Sequence, residues 1–222
     1  MTGKRLLLSV LCVGVLAASL IGRPAQAADI SEEARLFIEI KGNEAIRTFG
    51  VENREERYAR FRKLLTESFA LNGIAKFVIG RFWDQATKEQ QKRYLDQFET
   101  YIVANYAAKS WIVENVKLNV VKVTMGKDNE ASVDTLIHIP HKENKDVALG
   151  FTVRKGSNGL KIVDLMVDHV SLIISHRSEF TSVMGAQGGD MDKFVEFLAD
   201  RTGKLENTAK VLEARLNKQA IK

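Results

Sequence analysis

The sequence predicts an α+β domain in which an antiparallel four-stranded sheet packs against several helices. Three observations carry this expectation. Through the first half of the chain, apolar residues recur at three- and four-residue steps. Near Lys117 the period changes to two, and after Val170 the helical period returns. The links between the period-two segments are short and polar, which makes their neighbours antiparallel. One apolar face of such a sheet needs cover, and the flanking helices supply it.

The elements follow in order. Ala34, Phe37, Ile38, Ala45, Ile46 and Phe49 mark a first helix, which Gly50 is placed to stop. Arg57 to Ala70 carries Tyr58, Phe61, Leu64, Leu65 and Phe69 on one stripe. Ile74 to Ile79 is a short apolar helix ended by Gly80. Thr87-Lys88-Glu89-Gln90 has the form of a capping box, in which the threonine oxygen takes the Gln90 amide and the glutamine side chain returns the bond. The long helix after it presents Tyr94, Leu95, Phe98, Tyr101, Ile102 and Tyr106 on one face. Four strands are expected over Lys117–Met125, Glu130–Ile139, Asp146–Lys155 and Leu160–Asp168. Leu172, Ile173, Phe180 and Val183 then mark one helix, and Met191 to Ala199 another. From Lys204 the tail is polar and basic, either helical or disordered.

Residues 1–27 have the three-part layout of a secretory signal. Lys4 and Arg5 precede an uncharged apolar run from Leu6 to Ile21, and the triplet Ala25-Gln26-Ala27 sets cleavage before Ala28. The run is shorter than the roughly 20 residues that span a bilayer, so stable membrane insertion is not expected. The one cysteine, Cys12, lies inside this segment. The remaining chain, a single domain over 28–203 with a tail over 204–222, then has no thiol and no disulfide, and stands on its core alone.

Charge excludes one class of function. The chain has 33 basic and 28 acidic residues, and three of the basic ones (Lys4, Arg5, Arg23) fall in the signal with no acid, leaving a net charge of +2. Five basic and two acidic residues follow Gly203, so the body is close to neutral. Nothing in that distribution makes a nucleic-acid footprint.

Catalytic and metal-binding patterns are thin. His138 and His141 stand three apart around Pro140, which on a strand means opposite faces. His169 and His176 flank an apolar stretch without a ligand motif. Asp168, His169 and Ser171 bring together the residue types of a hydrolase triad, but no G-x-S-x-G elbow is present. Neither Gly156–Gly159 nor Gly185–Gly189 precedes the lysine and hydroxyl of a phosphate loop. The helical half is instead rich in Phe77, Phe82, Trp83, Phe98, Tyr101, Tyr106 and Trp111.

Two segments carry a family resemblance. The first is Phe61 to Tyr106, FRKLLTESFALNGIAKFVIGRFWDQATKEQQKRYLDQFETYIVANY. It has an apolar helix, a Phe-centred break, a short helix ending in Gly, an aromatic, a small-Thr cap and a Gln-rich helix ending in Tyr. The second is Ile162 to Phe180, IVDLMVDHVSLIISHRSEF, an apolar strand, an acidic residue, Val-Ser and a helix with a Glu-aromatic pair. In this order and behind a signal peptide, they resemble MlaC, the periplasmic lipid-binding component of the Mla phospholipid-transport pathway, also called the toluene-tolerance auxiliary family. The chain departs from that pattern at His169, where the family commonly has glycine, and in the longer linker Gly185–Gly189.

The resemblance implies a soluble periplasmic phospholipid carrier with an apolar pocket between sheet and helices, tails inside and head group in water. It implies two docking partners, an inner-membrane ABC transporter with an MCE-domain subunit and an outer-membrane lipoprotein complex, and neither a cofactor nor a catalytic activity. A carrier of hopanoid or another apolar lipid, a periplasmic hydrolase and a closed adaptor are the alternatives. By strand alternation, the expected lining on the sheet is Val133, Ile137, Val147, Leu149, Phe151, Val163, Leu165 and Val167. Phe77, Phe98, Tyr101 and Val170 are expected opposite them.

Overall fold

The computed structural model describes residues 29–108, 116–127, 129–138 and 146–220. The signal segment 1–27, Trp111 and His141 lie outside the described residues. Five helices come first: α1 (Ser31–Phe49), α2 (Arg54–Ser68), α3 (Leu71–Ile79), α4 (Phe82–Gln85) and α5 (Lys88–Ala107). Five strands follow, β1 (Leu118–Met125), β2 (Glu130–His138), β3 (Asp146–Gly156), β4 (Gly159–Val167) and β5 (Val170–Ser171). Two helices close the chain, α6 (Leu172–Ala186) and α7 (Met191–Ala220).

Local chemistry accounts for the helix starts. The Asn53 side chain accepts the Glu56 amide at the head of α2. At α5 both halves of the capping box form, with Gln90 N–H to Thr87 Oγ1 at 3.2 Å and Thr87 N–H to Gln90 Oε1 at 3.0 Å. The stretch from Lys204 continues α7 without a break, and Ala209 on it is buried.

The sheet is antiparallel in the order β1-β2-β3-β4-β5. Four strands were expected, and the fifth is the two-residue β5. It returns through a tight turn at Asp168-His169, so that Val170 pairs with Val167. Periodicity cannot register a strand of two residues. Both turn residues are left-handed, with φ +47° at Asp168 and +67° at His169. At His169 the resemblance noted above implies glycine, which adopts such an angle without steric penalty.

Two bulges also break the expected alternation. One falls between Val120 and Lys122 in β1 and leaves Val121 exposed. The other falls in β4, where Thr152 pairs with Asp164 but Val153 with Ile162. Below that bulge Leu160 and Ile162, and not Val163, share the inward face with Leu165.

Apolar side chains gather into two clusters. The sheet core joins Ala131, Val133, Phe151, Val153 and Ile162 to Ile30, Ala34 and Ile38 on and before α1. The helix core joins Tyr94, Phe98 and Tyr101 of α5 to Phe180, Met184, Phe194 and Leu198 of α6 and α7. Phe69, between α2 and α3, packs against both. Its neighbour Ala70 donates its amide to Ile162 O at 3.0 Å, covering the edge of β4 that β5 does not reach.

Arg57, with 0% of its surface exposed, ties α2 to the far ends of two other helices. Its guanidinium donates to Ala107 O at 2.8 Å, to Val51 O at 2.6 Å and to Glu213 Oε1 at 3.2 Å. A buried cation suits the carbonyl end of α5, where the helix dipole is negative. Sequence reading took Arg57 only as the start of a helix.

Two outcomes are expected from this arrangement. Arg57→Met leaves Glu213 paired with Arg54 but takes the donor from the Ala107, Val51 and Glu52 carbonyls, and lowers unfolding free energy by about 1–3 kcal/mol in urea titration. His169→Gly relieves the left-handed turn and raises it by about 1 kcal/mol, a Tm gain of roughly 2–4 °C.

Candidate functional site

Between the two cores the interior is incompletely filled. A sheet-side cavity of about 160 Å³ is walled by Ile38, Gly42, Ala45 and Ile46 of α1, and by Leu118, Ile137, Leu149 and Phe151 of the sheet. A helix-side cavity of about 130 Å³ is walled by Leu71 and Ile74 of α3, Phe98 and Ile102 of α5, and Leu172 and Ile173 of α6. The two share Phe49, Phe69 and Leu165, so they are adjoining lobes separated by three side chains. Gly42 shapes the first lobe. A Cβ there would meet Leu118 Cδ1 at 2.6 Å, so glycine lets α1 lie close on β1.

Few polar groups face these lobes. Lys41 sits at the rim of the sheet-side lobe, held by Glu44 at 2.8 Å and Glu67 at 3.6 Å. Ser68 Oγ, on the same wall, is buried without a hydrogen-bond partner. In the helix-side lobe the polar edge is Tyr106 and His176, whose Oη and Nε2 are 2.9 Å apart. Behind His176 stand Glu179 at 3.8 Å and Arg201, paired to Glu179 at 3.1 Å. Burial holds His176 below the ordinary imidazole range, against the opposing pull of Glu179. Burial also pushes the Tyr106 phenol up to about 12.

The expected lining residues divide into three groups. Ile137, Leu149, Phe151 and Leu165 wall the sheet-side lobe, and Phe98 and Leu165 the helix-side lobe. Val133 and Tyr101 are buried in solid core, and half-buried Val147 and Val167 lie on the inward face, but none of these four walls a lobe. Phe77, Val163 and Val170 stand elsewhere. Phe77 is 44% exposed and Val170, on β5, is 58% exposed. Phe77 and Val163 line a separate cleft on the outside of α3, Val163 because the β4 bulge carries it off the inward face.

Alternation missed Ile162 and the α1 wall. The helical stripe of Ala45, Ile46 and Phe49 was the signal that could have found the latter.

Among the described residues, no group of three His, Cys, Asp or Glu is placed to hold a metal, and no helix is long and apolar enough to cross a membrane. Ser171 Oγ donates to Asp164 at 2.9 Å and accepts the Ile174 amide, so it caps α6. His138 pairs with Asp146 across exposed strands at 2.8 Å.

His176 generates a pH prediction. The folded chain disfavours a proton that the unfolded chain accepts. Its stabilising effect is therefore complete above the ordinary imidazole pKa, roughly 6.5, and is lost as pH falls below it. Between about pH 7.5 and about pH 5.5, denaturant titration should show wild type losing more stability than His176→Phe.

A solved phospholipid-binding protein from Ralstonia solanacearum, in complex with a phospholipid, shares the fold at a TM-score of 0.69 and 22% identity, covering 78% of this chain and 98% of that one. No curated protein matches the chain. A family model described as MlaC protein matches residues 43–200, most of the chain, from within α1 into α7, and on that match this protein belongs to the MlaC family.

Proposed function

We propose that this protein is a periplasmic carrier that holds a phospholipid by its acyl tails between sheet and helices. The observation that carries the reading is the pair of adjoining apolar lobes between two separate cores. Family membership and the likeness to a phospholipid-bound fold support it.

Hydrocarbon needs no hydrogen bonds, only removal from water, and each buried CH₂ contributes about 0.8 kcal/mol. Aliphatic and aromatic walls meet that requirement. Each lobe, at about 160 and 130 Å³, is smaller than the roughly 300–1,000 Å³ of an ordinary ligand pocket. Loading therefore parts the two cores. Phe49, Phe69 and Leu165 are the side chains that must swing aside to merge the lobes.

Head-group discrimination is weak in this reading. The rim cation Lys41 is already matched by two carboxylates, and selectivity would require a fixed, unpaired polar cluster. Release is slow without help, because expelled tails meet water. Handover to an inner-membrane ABC transporter with an MCE-domain subunit, and exchange with an outer-membrane lipoprotein complex, fit a carrier with this property. The signal-like segment 1–27 agrees with periplasmic placement.

The test is native mass spectrometry of the gently purified mature chain, with lipid extraction. Phospholipid masses are expected at near-equimolar occupancy. Leu149→Glu sets a carboxylate in the sheet-side wall and should abolish that occupancy while export continues. A hopanoid mass, or a folded wild type without any extractable lipid, would sink the proposal.

A further inference from the structure

The cleft on the outside of α3 holds about 370 Å³ and is lined by Ala70, Gly73 and Phe77 of the α3 segment, Val163 and Asp164 of β4, and Ile174 of α6. Two more of its walls, Ile74 and Ile173, are also walls of the helix-side lobe. The cleft outside and the lobe inside are therefore back to back, with these two isoleucines between them. Phe77 and Ile174, large apolar side chains on the cleft, are 44% and 55% exposed. Exposed residues of this size on either side of one opening form an apolar approach from the surface.

The partition is also built to move. α3 has nine residues, no side-chain cap at its N-terminus, and Gly80 at φ +61° behind it. One end is tethered to β4 by Ala70 N–H to Ile162 O. The other is held to α6 by Arg177, which donates to Phe77 O and lies 4.5 Å from the Phe77 ring centre. A short helix fixed at its ends, facing a lobe that must expand to be filled, is the element best placed to yield.

We propose that this cleft is a side portal through which a phospholipid acyl chain enters and leaves the helix-side lobe, with Ile74 and Ile173 as its gate. The occupant is hydrocarbon because the cleft shares apolar walls with the lobe. Arg154, paired with Glu130, and Asp164, which accepts from Ser171, give this opening a hydrated polar edge but no free charge for the head group. The inference rests on the carrier reading above.

Gly73 makes a selective test possible. It is exposed, faces the cleft, and a Cβ placed on it meets nothing within 4 Å. Gly73→Trp therefore plugs the portal from outside without touching either core. Ile173→Ala thins the gate. Val121→Trp, on the outer face of the sheet, is the control for added surface tryptophan.

Uptake of a pyrene-labelled phospholipid from phosphatidylethanolamine–phosphatidylglycerol vesicles is followed by fluorescence, and final occupancy by native mass spectrometry. Gly73→Trp should slow exchange about tenfold and reach the wild-type end point. Ile173→Ala should exchange faster than wild type, and Val121→Trp should match it. If Gly73→Trp and Ile173→Ala both exchange at the wild-type rate, or if Val121→Trp slows it as much as Gly73→Trp, the portal is refuted while the carrier reading stands. If wild type takes up no lipid at all, both readings fall together.

Discussion

Phe69 is the side chain that touches both halves of this interior, and the separation it bridges governs the rest of the structure. The helix core is knit by aromatic contacts that close on themselves. Tyr94 and Phe98 lie 5.9 Å apart, Phe98 and Phe180 6.2 Å, and Phe180 and Phe194 5.2 Å, all tilted or edge-on. The sheet core closes separately against α1. Ordinary interiors pack to crystal density with few voids larger than a water molecule. Here two such interiors meet across a seam that neither one fills.

In the proposed carrier that division has a use. Each core would keep its own contacts if the seam widened, so filling it with hydrocarbon would not require unfolding either layer. The fixed points are polar. Arg57 clamps the α1–α2 link, the end of α5 and, through Glu213, the far part of α7. Ala70 stitches the α2–α3 link to β4.

Much of this was legible in the residues. The capping box at Thr87 and Gln90 is a local device, complete within four residues, and it forms as read. The inward faces of β2 and β3 follow from strict alternation, because the pairing of Val133 with Phe151 and of Thr135 with Leu149 runs without a bulge. Where an extra residue enters, as at Val163, strict alternation no longer gives the face. Above the β4 bulge Leu165 lies on the inward face, and below it Ile162 takes that face in place of Val163. Phe77 stands on a separate cleft because a stripe says which residues share a helix face but not which neighbour that face meets. Val170 stands on the two-residue β5, too short for periodicity to register.

By itself the sequence determined the order and kind of the longer elements, the antiparallel sheet and the family, but not the four-residue α4 or the two-residue β5. These depend on patterns within a few residues or on two segments read in line. Only the tertiary structure decided that the apolar residues form two cores with a seam between them. Whether facing side chains interlock or leave space depends on the angle and distance between layers set by distant contacts such as those of Arg57, Gly42 and Phe69. Hydrophobic periodicity counts which groups leave water, and it is silent on what they meet when they do.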